Sequence, residues 1–306
     1  MPEVSIIIPT FNRANLLLDT VASARRAGSD LEIIIVDDAS TDDTPRLCRQ
    51  LTGVKYLRLE RNSGTSHARN VAIQESSCDF VAFLDDDDLR LPDTLDLQLD
   101  LLKASPDAAL IYGRAFLGDP RFNLPTGRLI PEECPAGDVY WPLLEANFVT
   151  MSTVVARKRC LIDAGLFDTT LDTLEDYELW VRVAERYLIE AIEEPVAVYR
   201  MRSETSGQKT SDRAYHDRHH KRMHAALLRS PRAMAASRLK RRRTHRRHMS
   251  VIYSSLIHDA AEALLKGDTA SAQAYLWAAV RLNPLHVKAH GSLLWLLARN
   301  LLYKLS

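Results

Sequence analysis

The residues best placed to do chemistry are four consecutive aspartates at positions 85–88, which directly follow the apolar run 80–84. A short, uninterrupted apolar run is typical of a strand buried on both faces of a parallel sheet. Open α/β sheets bind their ligands at the carboxyl ends of such strands. Adjacent carboxylates repel one another, so the cluster favours a neutralising divalent cation. The alternative is an acidic loop that caps the next helix, which Pro92 would open.

If the strand geometry continues past residue 84, Asp85 and Asp87 point to one side of the strand and Asp86 points to the other. Carboxylate oxygens suit hard cations such as Mg²⁺ or Mn²⁺, and an ion held there would in turn hold the diphosphate of a substrate. The sequence therefore predicts a metal site on one face of this strand end.

Apolar runs predict seven strands, and helical spacing of apolar residues is expected between most of them. This alternation predicts a parallel sheet with right-handed crossovers. The ends of the first, second and fourth strands would bring three polar segments to one edge, where carboxylates, arginine and asparagine suit a nucleotide. The predicted strands are 4–8, 31–36, 54–59, 80–84, 109–116, 152–156 and 196–201, and the polar segments are 10–13, 37–38 and 85–88.

Three local features complete this expectation. Asn12 is expected to cap the first helix, which Gly28 would end. Residues 117–138 are rich in glycine and proline and are expected to form a loop. A helix is expected over residues 175–185, and the acidic pair at positions 175 and 176 lies in its first turn.

The chain has 306 residues with 40 basic and 40 acidic side chains, and this balance conceals a strong asymmetry. Residues 213–248 hold thirteen lysines and arginines against the single acid Asp217, a net charge of +12 that the rest of the chain offsets. The four cysteines are widely spaced, which is typical of reduced thiols in a cytosolic protein. The amino terminus has no signal-peptide pattern, and no apolar stretch reaches the roughly 18 residues of a spanning helix. We expect a cytoplasmic protein, free or peripheral on the inner face of the membrane.

Three regions are expected along the chain. Residues 1–205 form an α/β catalytic domain, residues 206–250 form a linker and a basic helical segment, and residues 251–306 form a helical tail. Gly267 and Asp268 separate two apolar helical patterns of the tail, which is typical of one tetratricopeptide-like helix pair. A single pair cannot bury its faces alone, so it packs on this chain, on a second copy in a homo-oligomer or on another partner.

The basic segment 213–248 has more than one interpretation. Its charge suits an anionic membrane surface, which would serve an enzyme with a lipid-linked acceptor. The alternative is a solvated helix that packs against the acidic catalytic domain. Nucleic acid is not expected as a partner, because Tyr215 is the segment's only tyrosine, phenylalanine or tryptophan.

Six stretches of the sequence form a recognisable series. They are VSIIIPTFNR at 4–13, VDDASTD at 36–42, NSGTSHARN at 62–70, FLDDDD at 83–88, GLFD at 165–168 and LEDYELWVR at 174–182. In this order they resemble the motifs of glycosyltransferase family 2, and the run at 85–88 resembles that family's DXD metal motif. The resemblance covers about residues 3–205. It implies a GT-A fold with a mostly parallel sheet flanked by helices, and an inverting transfer from a nucleotide-diphospho-sugar with Mn²⁺ or Mg²⁺.

The resemblance also implies roles for single residues. The catalytic base is Asp176, with Glu175 as the alternative, and metal binding falls to Asp87 with help from Asp85 or Asp88. The nucleotide-sugar pocket has Asp38 at the base and Asp86 at the ribose, and its further residues are Pro9, Thr10, Phe11, Arg13, Asn62, Gly64, Arg69 and Asp85.

The chemistry of an inverting transfer agrees with these roles. One carboxylate, separate from the metal cluster, must deprotonate the acceptor hydroxyl as that hydroxyl attacks the anomeric carbon. Glu175 and Asp176 provide such a carboxylate. The alternative is structural, because acids favour the electropositive first turn of a helix. The helix dipole would lower the carboxyl pKa of a base at this position, whereas burial would raise it.

One position departs from the family's pattern. Two residues after Arg200, where the family often has a histidine, this chain has Arg202. Arginine does not ligate metals but clamps a diphosphate through two hydrogen bonds, so either Arg202 replaces part of the cation's charge or metal binding is weaker. A solvated loop residue is the alternative. On the acceptor side we expect Trp141, Asn147 and Ser152, with Trp141 either stacked on a sugar ring or buried.

We therefore expect a metal-dependent inverting glycosyltransferase that uses a nucleotide-diphospho-sugar, above all a UDP-sugar. Its acceptor would be a saccharide or a lipid-linked hydroxyl in polysaccharide or glycolipid synthesis. One alternative is a sugar-phosphate nucleotidylyltransferase, although residues 9–13 lack the glycine-rich loop of that class. The other is a non-catalytic nucleotide-sugar-binding scaffold, with Arg202 as a sign of lost activity.

Overall fold

The structure is a computed structural model that describes residues 2–118, 125–171, 173–200, 213–282 and 291. The chain divides into two compact units. The first comprises Met1–Leu143 and Asn147–Ser206, and the second comprises Leu144–Ala146 and Gly207–Ser306. Arg202 lies outside the described residues.

The first unit contains an α/β sheet of nine strands among the described residues, in the order β3-β2-β1-β4-β8-β6-β9-β5, with β7 paired to β6. The strands are β1 Val4–Thr10, β2 Leu31–Asp37, β3 Lys55–Arg58, β4 Phe80–Phe83, β5 Leu89–Arg90, β6 Ala108–Gly118, β7 Pro125–Ile130, β8 Val155–Arg157 and β9 Leu188–Arg200. The α-helices found up to residue 200 in the described ranges are α1 Ala14–Ala24, α2 Thr44–Gln50, α3 Thr65–Glu75, α4 Thr94–Ala104, α5 Tyr140–Glu145, α6 Lys158–Asp163 and α7 Glu175–Arg186. The last two residues of α5 belong to the second unit.

The central strand β1 explains how the core and the candidate site are joined. All seven of its residues are buried, as the apolar run predicts. Ile6 and Ile8 share a cluster with Leu17 of α1 and Leu99 of α4. Full burial of such a side chain contributes about 1.5–3 kcal/mol to the free energy of folding. The core therefore holds β1 in place, and its carboxyl end lies where the strand ends of the sheet meet the loops.

Three strands end together at this edge. Parallel pairing sets Thr10 of β1 beside Asp37 of β2, and sets Ile7 of β1 beside Phe83 of β4. The loops that follow β1, β2 and β4 therefore begin side by side, as the sequence predicts.

The α/β sheet flanked by helices is confirmed, and its strand pairs are of both kinds. The β1–β2, β1–β4, β2–β3 and β6–β9 pairs are parallel, and the β4–β8, β5–β9, β6–β7 and β6–β8 pairs are antiparallel. The alternation of strands and helices holds as far as β4.

Three local predictions were wrong. Asn12 does not cap α1, because its backbone is left-handed (φ 55°) and its side-chain oxygen accepts from the Thr41 amide at 2.7 Å. The Asp42 carboxylate accepts from the Ala14 amide at 3.2 Å instead, across 28 residues of sequence. Residues 117–138 are not all loop, since β7 pairs there with β6. The strand expected from residue 152 begins at residue 155, after a 3₁₀ turn at Met151–Thr153.

The second unit is helical in its described residues. Its helices are α8 Arg213–Leu227, α9 Pro231–Ala235, α10 Arg238–Leu265 and α11 Thr269–Leu282. Helix α10 runs without a break across residue 250, where the sequence suggested a division, because residues 238–265 hold no glycine or proline. Gly267 adopts a left-handed conformation (φ 78°) between α10 and α11. Within the described ranges, no helix has both the length and the apolar character needed to span a bilayer.

Candidate functional site

The acidic run lies in a turn, so the strand alternation expected for it does not occur. Strand β4 ends at Phe83, and the Asp88 amide donates to the Asp85 carbonyl oxygen at 3.0 Å. The four carboxylates consequently diverge toward different parts of the first unit. Each one contacts a residue that is distant in sequence, and these contacts organise the candidate site.

Two of the carboxylates contact the loop that follows β1. The Thr10 hydroxyl donates to Asp86 Oδ2 at 2.7 Å. The Arg13 guanidinium pairs with Asp87 Oδ2 at 3.3 Å, and both side chains are mostly buried. The predicted convergence of the β1 and β4 ends is therefore present at the level of side chains.

The third carboxylate starts a chain of ion pairs. Arg69 of α3 donates to Asp85 Oδ1 at 2.6 Å and to Glu175 Oε1 at 2.9 Å. Its side chain is 4% exposed, and its Nε is buried without a partner among the described residues. Burial by itself would lower the pKa of Arg69, but the two carboxylates raise it above its usual value. This arginine thus holds the acidic run against the start of α7 as a permanent cation.

Asp88 is the most enclosed of the four and has structural partners on both oxygens. Its Oδ2 accepts from the Ser152 hydroxyl at 2.6 Å, and its Oδ1 accepts from the Arg200 amide at 2.8 Å. Ser152 is fully buried and also accepts from the Asp85 amide at 3.2 Å. The structure therefore places Ser152 beneath the acidic turn, whereas the sequence analysis expected it to face an acceptor.

The carboxyl groups of the turn carry more negative charge than their protein partners offset. Burial, and next the charge of Asp87, raise the pKa of Asp86 to about 7. Burial and the charge of Asp85 raise the pKa of Asp87, and burial with both neighbouring charges raises that of Asp88. A cation would relieve this repulsion.

The aspartates at positions 85–88 can supply part of the coordination of a Mg²⁺ or Mn²⁺ ion. No group of three or more histidine, cysteine, aspartate or glutamate side chains converges on a metal-binding geometry within the described part of the chain. Mg²⁺ needs no such cage, because proteins commonly hold it through one or two carboxylates together with substrate phosphates. In the described contacts Asp85 and Asp87 each use one carboxylate oxygen in a pair with an arginine, so the other oxygen of each could bind an ion. Both oxygens of Asp88 already accept hydrogen bonds.

Asp176 lies at the start of α7, next to the residue that pairs with Arg69. Its Oδ2 is 3.4 Å from the Asn147 amide nitrogen, and its Oδ1 accepts from the Tyr177 amide at 2.6 Å. Burial, and then the charge of Glu175, raise its pKa to about 7. A carboxyl group with a pKa raised in this direction suits a general base that works near neutral pH. Leu174, just before this pair, has a left-handed backbone (φ 64°) that is rare outside glycine and is found at functional sites.

Asp38, for which a contact with the nucleotide base stays a prediction, contacts the loop before α3. Its two carboxylate oxygens accept from the Ser63 and Gly64 amides at 2.7 and 2.8 Å. Gly64 has φ 88° and precedes α3, a conformation that side-chain-bearing residues seldom adopt. Asp38 therefore fixes the loop that leads into the helix carrying Arg69.

The remaining residues predicted for the site differ in burial and in their contacts. Pro9 is buried within β1, whereas Phe11 is 41% exposed. Asn62 is exposed in the loop before α3. Trp141 is half-buried in α5 with its ring against Tyr140, at 5.3 Å between centroids. Of the three acceptor-side residues, Asn147 contacts the predicted base.

Three residues that the sequence analysis did not identify complete the site. Arg200, besides its amide contact with Asp88, donates from Nε to the Asp87 carbonyl oxygen at 2.8 Å. The Thr20 hydroxyl lies 3.1 and 3.0 Å from the Asp86 and Asp88 carbonyl oxygens. Tyr56 donates its hydroxyl to the fully buried Asp37 at 2.8 Å. Only Arg200 carried a sequence signal, since it precedes the position that was singled out at 202.

A comparison with protein families finds one match. Residues 5–151 match the sequence model of a family described as "Glycosyl transferase family 2". The match includes β1, the loop after β2 and the acidic turn, and it ends before α7.

Curated relatives cover overlapping parts of the chain. A GalNAc(5)-diNAcBac-PP-undecaprenol beta-1,3-glucosyltransferase from Campylobacter jejuni is 36% identical over 123 residues, which are 38% of this chain and 39% of that protein. An uncharacterized glycosyltransferase from Rickettsia bellii is 27% identical over 208 residues, 67% of this chain and 29% of that protein. The chain thus spans less than a third of the Rickettsia bellii relative.

Solved structures include a similar fold. S. aureus TarS 1-349 has a TM-score of 0.63 at 18% identity, and the match covers 92% of this chain and 83% of that chain. Crystal structures of TarS 1-349 with UDP and with UDP-GlcNAc match with TM-scores of 0.62 and 0.64. At this identity the likeness shows a shared fold and no more.

Proposed function

We propose that this chain, whose residues 5–151 match the model of glycosyltransferase family 2, is a GT-A glycosyltransferase that transfers a sugar from a nucleotide-diphospho-sugar to an acceptor hydroxyl. The observation that carries this proposal is the ion-pair connection between the acidic turn and the start of α7, where Asp176 lies. Arg69 joins Asp85 to Glu175, so the groups for the leaving diphosphate and for the acceptor proton are held in one frame.

In the proposed reaction Asp176 accepts the proton of the acceptor hydroxyl. The hydroxyl oxygen attacks the anomeric carbon from the side opposite the diphosphate. The bond between that carbon and the diphosphate oxygen breaks, and the nucleoside diphosphate leaves. A single displacement of this kind inverts the anomeric configuration. Asn147, 3.4 Å from Asp176, orients the carboxylate toward the acceptor.

Asp85 and Asp87 would hold a Mg²⁺ or Mn²⁺ ion, which would supply positive charge for the leaving diphosphate. Arg13 supports the same end of the site, because it already pairs with Asp87 and lies at the start of α1. Asp86 accepts from Thr10 and is within the loop that a ribose would approach.

The donor and the acceptor are proposed from relatives together with these contacts. TarS was crystallised with UDP and UDP-GlcNAc, which supports a UDP-sugar as the donor. The Campylobacter relative is named for an undecaprenol-linked substrate, and a Bacillus subtilis relative, 39% identical over 106 residues, is named as putative in teichuronic acid biosynthesis. We extend this to a saccharide or lipid-linked acceptor in polysaccharide or glycolipid synthesis.

Donor binding is the first test of this function. In calorimetry against UDP, ADP, GDP, CDP and UDP-sugars, we expect selective binding of UDP and one UDP-sugar that Mn²⁺ strengthens. Asp87→Asn is expected to weaken the Mn²⁺-dependent binding about 10- to 100-fold, because a carboxylate in the cation's coordination sphere is lost. Asp100→Asn, an exposed change of the same kind on α4, serves as the matched control.

The outcomes of this test separate the alternatives. No binding of any nucleotide to the folded chain contradicts the proposed function. Binding of a UDP-sugar, without any transfer to saccharide or lipid-linked acceptors, indicates the non-catalytic scaffold. Transfer of a nucleotidyl group to a sugar phosphate indicates a nucleotidylyltransferase.

A second test uses pH. Only the deprotonated form of Asp176 accepts the acceptor proton, so kcat is expected to fall about tenfold per pH unit below the raised pKa of about 7. Glu175→Gln removes the charge that helps to raise this pKa, so the acid limb should move to lower pH. Asp176 is excluded as the base if the acid limb of the kcat profile does not shift in Glu175→Gln and is still present in the residual activity of Asp176→Asn.

A further inference from the structure

The second unit contains a strongly basic segment whose charge no nearby acid in the sequence offsets. Residues 229–247 hold nine lysines and arginines and no aspartate or glutamate. They form α9, the connection after it and the first three turns of α10. This concentration of charge lies outside the first unit that contains the candidate active site.

Helix α10 has one buried side and one side that faces solvent. Its buried residues recur every three or four positions, which is the period of a single helical stripe. The exposed residues of the basic turns lie on the other side of the helix. The buried residues are Thr244, His248, Ile252, Leu256, Ala260 and Ala263, and the exposed residues are Leu239, Lys240, Arg242, Arg243, Arg246 and Arg247.

The exposed side of the basic turns combines charge with apolar surface. Arg242, Arg243 and Arg246 form no ion pair with any residue that the structure describes. Leu239, one helical turn before Arg242 and Arg243, is 74% exposed, and Met234 on α9 is 54% exposed. Arginines and large apolar side chains on one exposed helical surface are typical of elements that lie in a membrane interface.

We propose that this surface, comprising Leu239, Arg242, Arg243 and Arg246, binds the anionic face of a lipid bilayer. Arginine guanidinium groups pair with phosphate headgroups in bidentate geometry, and Leu239 enters the boundary between headgroups and acyl chains. This interaction would bring the chain to a lipid surface, but its test does not depend on glycosyl transfer.

A nucleic-acid partner fits the same surface less well. Phosphate contacts would use the arginines, but single-stranded binding relies on aromatic stacking, and residues 229–247 contain no tyrosine, phenylalanine or tryptophan. An exposed leucine contributes nothing to phosphate recognition, whereas it gains from contact with acyl chains. This apolar residue therefore favours the bilayer.

The test is sedimentation of the full chain with phosphatidylcholine vesicles, with and without phosphatidylglycerol. We expect binding only when phosphatidylglycerol is present, and release by salt. Arg242→Gln/Arg243→Gln/Arg246→Gln is expected to lower the partition coefficient about 100-fold, from the usual contribution of a basic residue at an anionic surface.

The matched control removes the same charge elsewhere. Arg26→Gln/Arg49→Gln/Arg159→Gln changes three exposed arginines of the first unit and should alter binding less than about threefold. Leu239→Gln keeps the charge and should lower the partition coefficient about tenfold with an unchanged salt dependence. Circular dichroism checks that each variant is folded.

Several results would overturn the proposal. Equal binding to both vesicle types, no binding to either, or equal losses in the two triple variants would each contradict a specific anionic-lipid surface. The surface would be assigned to nucleic acid instead if the full chain bound duplex or single-stranded DNA but not vesicles, and if Arg242→Gln/Arg243→Gln/Arg246→Gln lost the DNA binding.

Discussion

Replacing Asp176 with asparagine is expected to lower kcat by about 10²- to 10⁴-fold, the usual contribution of a positioned general base. The amide has nearly the shape of the carboxylate but cannot accept the acceptor proton. Nucleotide-sugar affinity should change little, because the donor-side contacts of Arg13, Thr10 and Asp87 lie on other elements. Steady-state kinetics and calorimetry on the same preparation measure the two effects separately.

The control for this variant is Glu178→Gln, which makes the same change in the same helical turn. Glu178 pairs with Arg182 at 2.6 Å along α7 and does not contact Asp176 or Arg69 in the described contacts. We expect its kcat to remain within about threefold of the unmodified chain, because the described contacts of Glu178 reach neither the predicted base nor the acidic turn. A kcat for Asp176→Asn equal to that of the control would exclude Asp176 as the base.

The convergence of the site could be predicted because it follows from strand order. Apolar runs identify β1, β2 and β4, and the carboxyl ends of parallel strands meet at one edge. Thr10 and Asp86, 76 positions apart, therefore contact each other as expected. The acidic first turn of α7 was likewise visible in the pattern, although the pKa of Asp176 depends on burial that no local pattern reports.

The contacts that support the acidic turn could not be predicted. Arg200 reaches Asp88 through its backbone amide, and every residue except proline has that donor. Ser152 contacts Asp88 from a 3₁₀ turn that sequence patterns identified as strand. The oxygens of Asp38 accept from the amides of a loop whose position depends on the fold of α3, and its expected contact with a nucleotide base stays a prediction. Such partners are determined by tertiary packing rather than by residue type or spacing.

Arg69 is the residue at which structure changes the interpretation most. From the sequence it was one border residue of a nucleotide pocket, but in the fold it pairs with Asp85 and with Glu175, 106 positions away in sequence. The guanidinium is nearly enclosed, and the two carboxylates are 25% and 20% exposed. Removal of one partner from a buried ion-pair network leaves uncompensated charge, which costs more than the network itself contributes.

Arg69→Met is therefore expected to lower the free energy of unfolding by about 3–5 kcal/mol, because it leaves two mostly buried carboxylates without their cation. Urea denaturation followed by circular dichroism measures this change. Arg69→Met/Glu175→Gln should recover part of the loss, since one of the two stranded charges is then absent. The exposed Arg46–Asp43 pair gives the comparison, and Arg46→Met should lower the free energy of unfolding far less than Arg69→Met does. If Arg69→Met costs no more than Arg46→Met, Arg69 does not hold the acidic turn and α7 together. The geometry of Asp176 must then be maintained by the contacts of α7 alone.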